Sequence, residues 1–308
     1  MPSLPQTPFK CPYYAVSCTL DPSTSKPYHE CCVSTNGLAI FSQNYTLGLS
    51  YKTPQHNWTI PSVVQDIGPR FTIHGLWPND CRGGFNQTRW LNETLGIPMP
   101  GTPNYDLHGC SQTRSFQNAA EVLHPSVAGA KFGWLLPLLK SIWRAGDGDD
   151  NWLWSHEWSK HGTCAESLKP ECYEKYSPYQ DFYEYMSAAV ELYVKLDIMK
   201  AFHAFGVYAS DEVGYTREML NRAHEQMFGF PGGMQCVVGR DGKQYLSEVW
   251  TYLLEKPGHS YSVASPGLVT TKGGAYQSCK EDQLVFIPWT PSRASTTNEL
   301  MKQSEADD

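Results

Sequence analysis

The chain has 308 residues, of which 13% are aromatic and 18% charged, enough apolar material for a sizeable buried core. Its formal net charge of −7 excludes broad electrostatic attraction to nucleic acid, although one local cationic site could still handle a polyanion. The stretch Phe132 to Leu139 is too short to span a membrane and contains Pro137, and no other apolar run is longer.

In chain order, residues 1–37 are rich in Pro, Ser, Thr and Cys and read as a loop region pinned by disulfides. Leu38-Ala39-Ile40-Phe41 begins an apolar strand running to Thr46, and residues 50–69 read as a surface insertion. Arg70 to His74 alternates as a strand should and delivers His74 to a turn over Gly75–Cys81. Residues 82–118, with two sequons, read as a long glycosylated loop whose 82–106 part is an insertion. A helical apolar pattern covers 119–145 and closes at Gly146-Asp-Gly-Asp-Asp. A long amphipathic helix is expected over 178–206 and another over 215–228. The period then changes to strands at Cys236-Val-Val, at Tyr245 to Leu254 after a turn at Asp241-Gly242, and at Gln283 to Trp289. The pattern predicts a single α+β domain over residues 1–289 and a polar, disordered tail over 290–308.

Ten cysteines run from Cys11 to Cys279 without a C-x-x-C pair, which points to a disulfide framework made in an oxidising compartment and not to a zinc module. Sequons at Asn44, Asn57, Asn86 and Asn92 agree and imply a secreted, glycosylated protein. The opening Met1-Pro-Ser-Leu-Pro has no apolar signal core, so a signal peptide is expected to have been removed.

The densest chemistry lies in Trp154-Ser-His156-Glu157-Trp158-Ser-Lys160-His161-Gly162-Thr-Cys164. On a helix of 3.6 residues per turn, His156 and Lys160 lie one turn apart, as do Glu157 and His161, and all four share a sector of about 140°. That winding turns His161 away from His156. A zinc helix of the H-E-x-x-H kind would carry a second histidine where Lys160 stands, so no metal site is expected. A merely solvated face would not explain the flanking tryptophans or the two histidines.

Phe71-Thr-Ile-His-Gly-Leu-Trp-Pro and His156-Glu-Trp-Ser-Lys-His-Gly-Thr-Cys164 together closely resemble the two active-site segments of the ribonuclease T2 family, in that family's order. The resemblance, extended by the cysteines, covers about residues 11–288. It implies an α+β fold with a central antiparallel sheet, flanking helices and five disulfides. It also implies a fungal-style, monomeric acid endoribonuclease that needs no cofactor or metal. Such an enzyme cleaves single-stranded RNA, and not DNA, through a 2′,3′-cyclic phosphate to 3′-phosphate ends. The resemblance makes His161 the general base and His74 the general acid. Glu157 and Lys160 would stabilise the transition state and His156 would bind phosphate, with Trp77, Asn79 and Phe85 near the base pocket. It further implies the pairs Cys11–Cys31, Cys18–Cys81, Cys32–Cys172, Cys110–Cys164 and Cys236–Cys279, and a destination outside the cell or in a vacuole. A cytotoxic or binding effector on the same fold, with RNA cleavage secondary, is the competing reading.

Overall fold

Leu38–Tyr45 forms β1, a strand buried along its whole length, and the rest of the sheet is assembled on it. The computed structural model describes residues 9–34, 37–49, 51, 67–79, 109–239, 241–264 and 277–289. β1 pairs antiparallel with β2 (Phe71–Asn79) on one side and with β5 (Gln244–Lys256) on the other. The strands β3 (Ser210–Tyr215), β4 (Gly233–Val238), β6 (Ser260–Val263) and β7 (Val285–Ile287) complete a seven-stranded sheet of order β2-β1-β5-β7-β3, in which β4 and β6 also pair with β5.

Period-two alternation sends Ala39 and Phe41 to one face of β1, where they join Ile73 and Leu76 of β2. The helices cover that face through Leu139, Trp143, Trp154, Trp158, Phe182 and Tyr185. Leu38 and Ile40 face the other way and pack with Trp250 and Tyr252. A second cluster, with Phe71, Phe202, Leu220 and Val285, closes one end of the sheet. None of the described helices is long and apolar enough to cross a membrane.

The sheet is mixed, not wholly antiparallel: β5 and β7 run parallel through Gln244↔Val285 and Tyr245↔Phe286. β7 returns to β5 only after the β6 hairpin and a further segment, and so long a crossover permits the parallel direction. β2 does not turn at Gly75 but continues to Asn79, because its carbonyls are held by β1 and by the helices behind it. The helix expected over 178–206 is two, Gln180–Lys195 and Ile198–Ala204. The break follows from Asp197, whose side chain accepts the Lys200 backbone N–H at 2.9 Å and so caps a new helix. The apolar stretch 119–145 likewise divides into Ala119–Val122, Pro125–Phe132 and Leu135–Ile142, with Pro125 at a helix start. β3 and β6 escaped the sequence reading: one is acidic and irregular, the other four residues long.

Two disulfides differ from expectation. Cys11 bonds Cys32 and Cys31 bonds Cys172, the exchange of the anticipated partners. The chain winds through a tight turn here, with the Cys32 N–H donating to His29 O at 2.8 Å. Adjacent side chains on such a turn point in different directions, and spacing along the chain does not say which direction each takes. Cys110 bonds Cys164 and Cys236 bonds Cys279. Cys18 is also disulfide-bonded, and Cys81 lies outside the described residues.

Asn44, a sequon position, sits inside β1 between Thr72 of β2 and Glu248 of β5 and is 9% exposed. Asn57, Asn86, Asn92, Phe85, the 82–106 insertion and the 290–308 tail lie outside the described residues, as does nearly all of the insertion at 50–69.

The pairing is testable by releasing one thiol at a time. A Cys11→Ser variant should expose the thiol of Cys32, identified by alkylation and fragment mass spectrometry; labelling of Cys31 would contradict the pairing. Loss of Cys31–Cys172, separated by 141 residues, should destabilise more than loss of Cys11–Cys32, separated by 21. Loop-closure entropy puts the two at about 5 and about 3 kcal/mol, respectively.

Candidate active site

The site helix starts at Asp149, whose carboxylate accepts the Trp152 backbone N–H at 2.9 Å. It is α-helical over Asp150–His156, then widens to a π turn over Glu157–His161 and tightens to a 3₁₀ turn over Gly162–Cys164. In the π turn, Gly162 N–H reaches back to the Glu157 carbonyl, five residues earlier. Residues five apart therefore stand one above the other. His161 is not turned away from His156, as a uniform α-helix would have it; the two rings lie 6.1 Å apart.

Core packing holds this winding in place. Trp158 is fully buried, its indole N–H donates to the Arg114 carbonyl at 2.7 Å, and the Arg114 guanidinium lies over its ring at 5.3 Å. Gly162 passes so close to that ring that an added Cβ would lie 2.4 Å from it. With Trp158 anchored, Glu157, Lys160 and His161 are left facing the opposite way, toward β2.

β2 presents His74 from an irregularity in its pairing. Ser42 pairs with Gly75 and Gln43 with Ile73, so His74 is the extra residue of a β-bulge that re-aims its side chain. Its carbonyl accepts the Trp143 indole N–H at 2.9 Å. Tyr185 ties strand to helix, its hydroxyl reaching the Leu76 carbonyl at 2.8 Å and the Glu157 carbonyl at 3.3 Å. Gly75 is needed for this approach, because a Cβ there would fall 1.8 Å from Glu157 Oε2.

Between strand and helix lies a cleft of about 270 Å³ lined by Ile40, Trp77, Pro78, Asn79 and the five ionisable groups His74, His156, Glu157, Lys160 and His161. His74 Nε2 is 3.7 Å from Glu157 Oε1, and His74 Nδ1 is 3.4 Å from Glu248 Oε2. Trp77 is part of the wall and also a support: its indole N–H donates to Glu157 Oε2 at 2.7 Å, and its ring meets His74 edge-on.

Burial sets the protonation states. It pushes Glu157 up to about 7, with His74, the Trp77 hydrogen bond and Lys160 opposing it. It lowers His156 to about 4, helped by the Lys160 and His74 charges. His161 falls well below the usual imidazole value, again through burial first and then His156, Lys160 and His74. Burial would raise Glu248 too, but bonds from His74, Trp250 and Ser42 outweigh it and hold it at about 2. The site therefore places two neutral imidazoles on the helix opposite an imidazole on the strand that stands beside a permanent anion.

The donor atoms of His156, Glu157 and His161 lie within 4.8 Å of one another, a spacing that a metal ion can bridge. Lys160 stands in the same turn, and its cation would oppose a second one placed there. Sequence reading missed Glu248, which lies in a strand that also carries Ser247, Thr251 and a second carboxylate, Glu255. It also missed the support given by Trp143 and Tyr185, and by Trp152, which stacks on His156 at 4.8 Å.

The Ribonuclease T2 family model matches residues 36–279. The chain is 30% identical over 268 residues to a ribonuclease T2-like protein of Saccharomyces cerevisiae, covering 84% of this chain and 56% of that protein. It is 26% identical over 267 residues to ribonuclease T2 of Aspergillus oryzae, covering 84% and 81%. The chain spans between 47% and 61% of the length of the first curated relatives it matches. Its fold is like the crystal structure of Actibind, a T2 ribonuclease, with TM-score 0.65 and 21% identity over 93% of this chain and 100% of that one.

The raised Glu157 carries a stability consequence. A carboxyl whose folded pKa of about 7 exceeds its unfolded value costs stability as pH rises from about 4.5 to 7, and costs none below that window. Glu157→Gln should therefore raise the melting temperature at pH 7 by roughly 5 °C and leave it nearly unchanged at pH 4. Equal shifts at both pH values in thermal scans would contradict the buried-acid assignment.

Proposed function

The chain belongs to the ribonuclease T2 family, and on that premise we propose that it is an endoribonuclease that cleaves single-stranded RNA by attack of the ribose 2′-hydroxyl. The observation that carries this reading is the convergence of His74, His156, Glu157, Lys160 and His161 on one cleft.

In the proposed reaction His161, held neutral by burial and by His156, Lys160 and His74 beside it, takes the 2′-hydroxyl proton. The 2′-oxygen bonds to phosphorus, the bond to the 5′-oxygen breaks, and that oxygen receives the proton carried by His74. The ionised Glu248 beside His74 Nδ1 favours a proton on that ring, as a general acid needs. The products are a 2′,3′-cyclic phosphate and a free 5′-hydroxyl. Water then opens the ring with the two roles reversed, leaving a 3′-phosphate.

Lys160 supplies positive charge to the phosphoryl oxygens. His156, neutral above about pH 4, binds phosphate as an N–H donor more than as a cation. Glu157 keeps its proton in mild acid and donates it in a hydrogen bond to the oxygen on which charge develops. A neutral base with a depressed pKa and a protonated acid give a bell-shaped pH profile centred in mild acid. The disulfide framework fits a secreted or vacuolar protein.

His161→Ala and His74→Ala should each lower RNA cleavage by at least about 10²-fold with an unchanged circular dichroism spectrum; retained turnover in either variant would contradict the roles. A deoxy-oligonucleotide, lacking the attacking 2′-hydroxyl, should stay intact, and chelator should leave RNA cleavage unaltered. Cleavage of DNA, or loss of activity in chelator, would each count against this mechanism.

A further inference from the structure

Glu248 reaches His74 from a strand that is not next to it in the sheet. β5 and β2 flank β1, so the Glu248 side chain crosses over β1 to meet a ring that the β2 bulge turns toward it. Its Oε2 is fixed on the way by Ser42 Oγ of β1 at 3.0 Å and by the Trp250 indole N–H at 2.9 Å. Ser42 is fully buried, and the carboxylate itself is 16% exposed. A carboxylate so held is costly unless it is partnered, and the described groups that meet it are Ser42, Trp250 and His74.

We propose that Glu248 is the positioning carboxylate of the acid histidine: it pairs with His74 Nδ1, fixes the ring plane, and leaves Nε2 to present the transferable proton to the cleft. This rests on the ribonuclease reading above and deepens it. Two carboxylates bracket the ring, and they differ in kind. Glu157, 3.7 Å from Nε2, exchanges its proton near neutrality and lines the cleft. Glu248, 3.4 Å from Nδ1, stays anionic across the working range.

Among the described residues, the groups around His74 are Glu157, Lys160, His156 and His161 from the site helix, Trp77 from its own strand, and Glu248, itself bonded by Ser42 and Trp250, from the sheet. Among these described groups, Glu248 is the one anion that does not change charge between pH 4 and 8. The His74 proton is therefore held by a fixed charge on the side away from substrate, while the substrate side stays free to react.

Glu248→Gln keeps the size and a hydrogen-bonding oxygen but removes the charge. The descending limb of its kcat/KM profile against pH, which reports loss of the proton from the acid, should move to lower pH by about one unit. At pH 6.5 kcat should fall about tenfold with KM little changed. Glu248→Ala should lose more kcat, because orientation is lost as well. A Glu248→Gln profile that overlays the wild type, even with a lower melting temperature, would overturn the proposal and leave Glu248 as packing. The same variant is read without RNA by NMR titration of the His74 ring. A downward displacement of about one pH unit supports the pairing, and an unmoved midpoint overturns it. A wild-type protein inactive on every RNA would sink the ribonuclease reading while the titration still decides the role of Glu248.

Discussion

The site depends on one departure from regular winding, the π turn over Glu157–His161. Five residues on an α-helix rotate a side chain about 140° away from where it began; five residues of π winding bring it nearly full circle. That difference separates a helix with histidines on two faces from one with both facing the same phosphate. Such a turn is poorly favoured by itself and is held here from outside. Ser159 exchanges hydrogen bonds with the Phe116 backbone. Thr163 receives the Cys110 N–H and donates to the Ser159 carbonyl. The Cys110–Cys164 bond then fastens the same two segments covalently. One disulfide and a set of side-chain hydrogen bonds thus brace the helix where it is least regular.

A second constraint follows from putting five ionisable groups into one small cleft. Burial acts on three of them in opposite senses, driving His156 and His161 toward neutrality and the Glu157 carboxyl toward its acid form. The exception is Glu248, whose desolvation is outweighed by the nearby His74 ring and by hydrogen bonds from Trp250 and Ser42. The two helix imidazoles are thus held neutral while the strand imidazole stands beside an anion. An acid–base pair requires that asymmetry, and two histidines in equal surroundings would lack it. The stability sacrificed at Glu157 is the counterpart of that arrangement.

Much of this was legible in the chain itself. The two motifs named every ionisable group that lines the cleft, though not Glu248 behind His74, and the strands of β1 and β5 showed through their apolar character. What escaped reading was set by tertiary contacts. The π turn is not encoded in helical periodicity, since Trp158 must find Arg114 and Phe182 before the winding is decided. The bulge at His74 belongs to the register of two strands, not to either one alone. Glu248 approaches across a neighbouring strand, some 170 residues from its partner in the chain, where no local spacing could point to it. Cys31 and Cys32 are chemically identical neighbours, and only the direction of the turn at His29 separates their partners. Asn44 satisfied a glycosylation pattern that says nothing of burial.

The central claim is that this winding sets His161 and His74 on opposite sides of one phosphorus. A crystal structure of the protein bound to a uridine–vanadate complex, which mimics the pentacoordinate transition state, tests it most directly. The account predicts the His161 ring against the 2′-oxygen, the His74 ring against the opposite apical oxygen, and His156 with Lys160 on the equatorial oxygens. Both imidazoles on the same side of the vanadium, or a His161 ring outside hydrogen-bonding reach of it, would contradict the account.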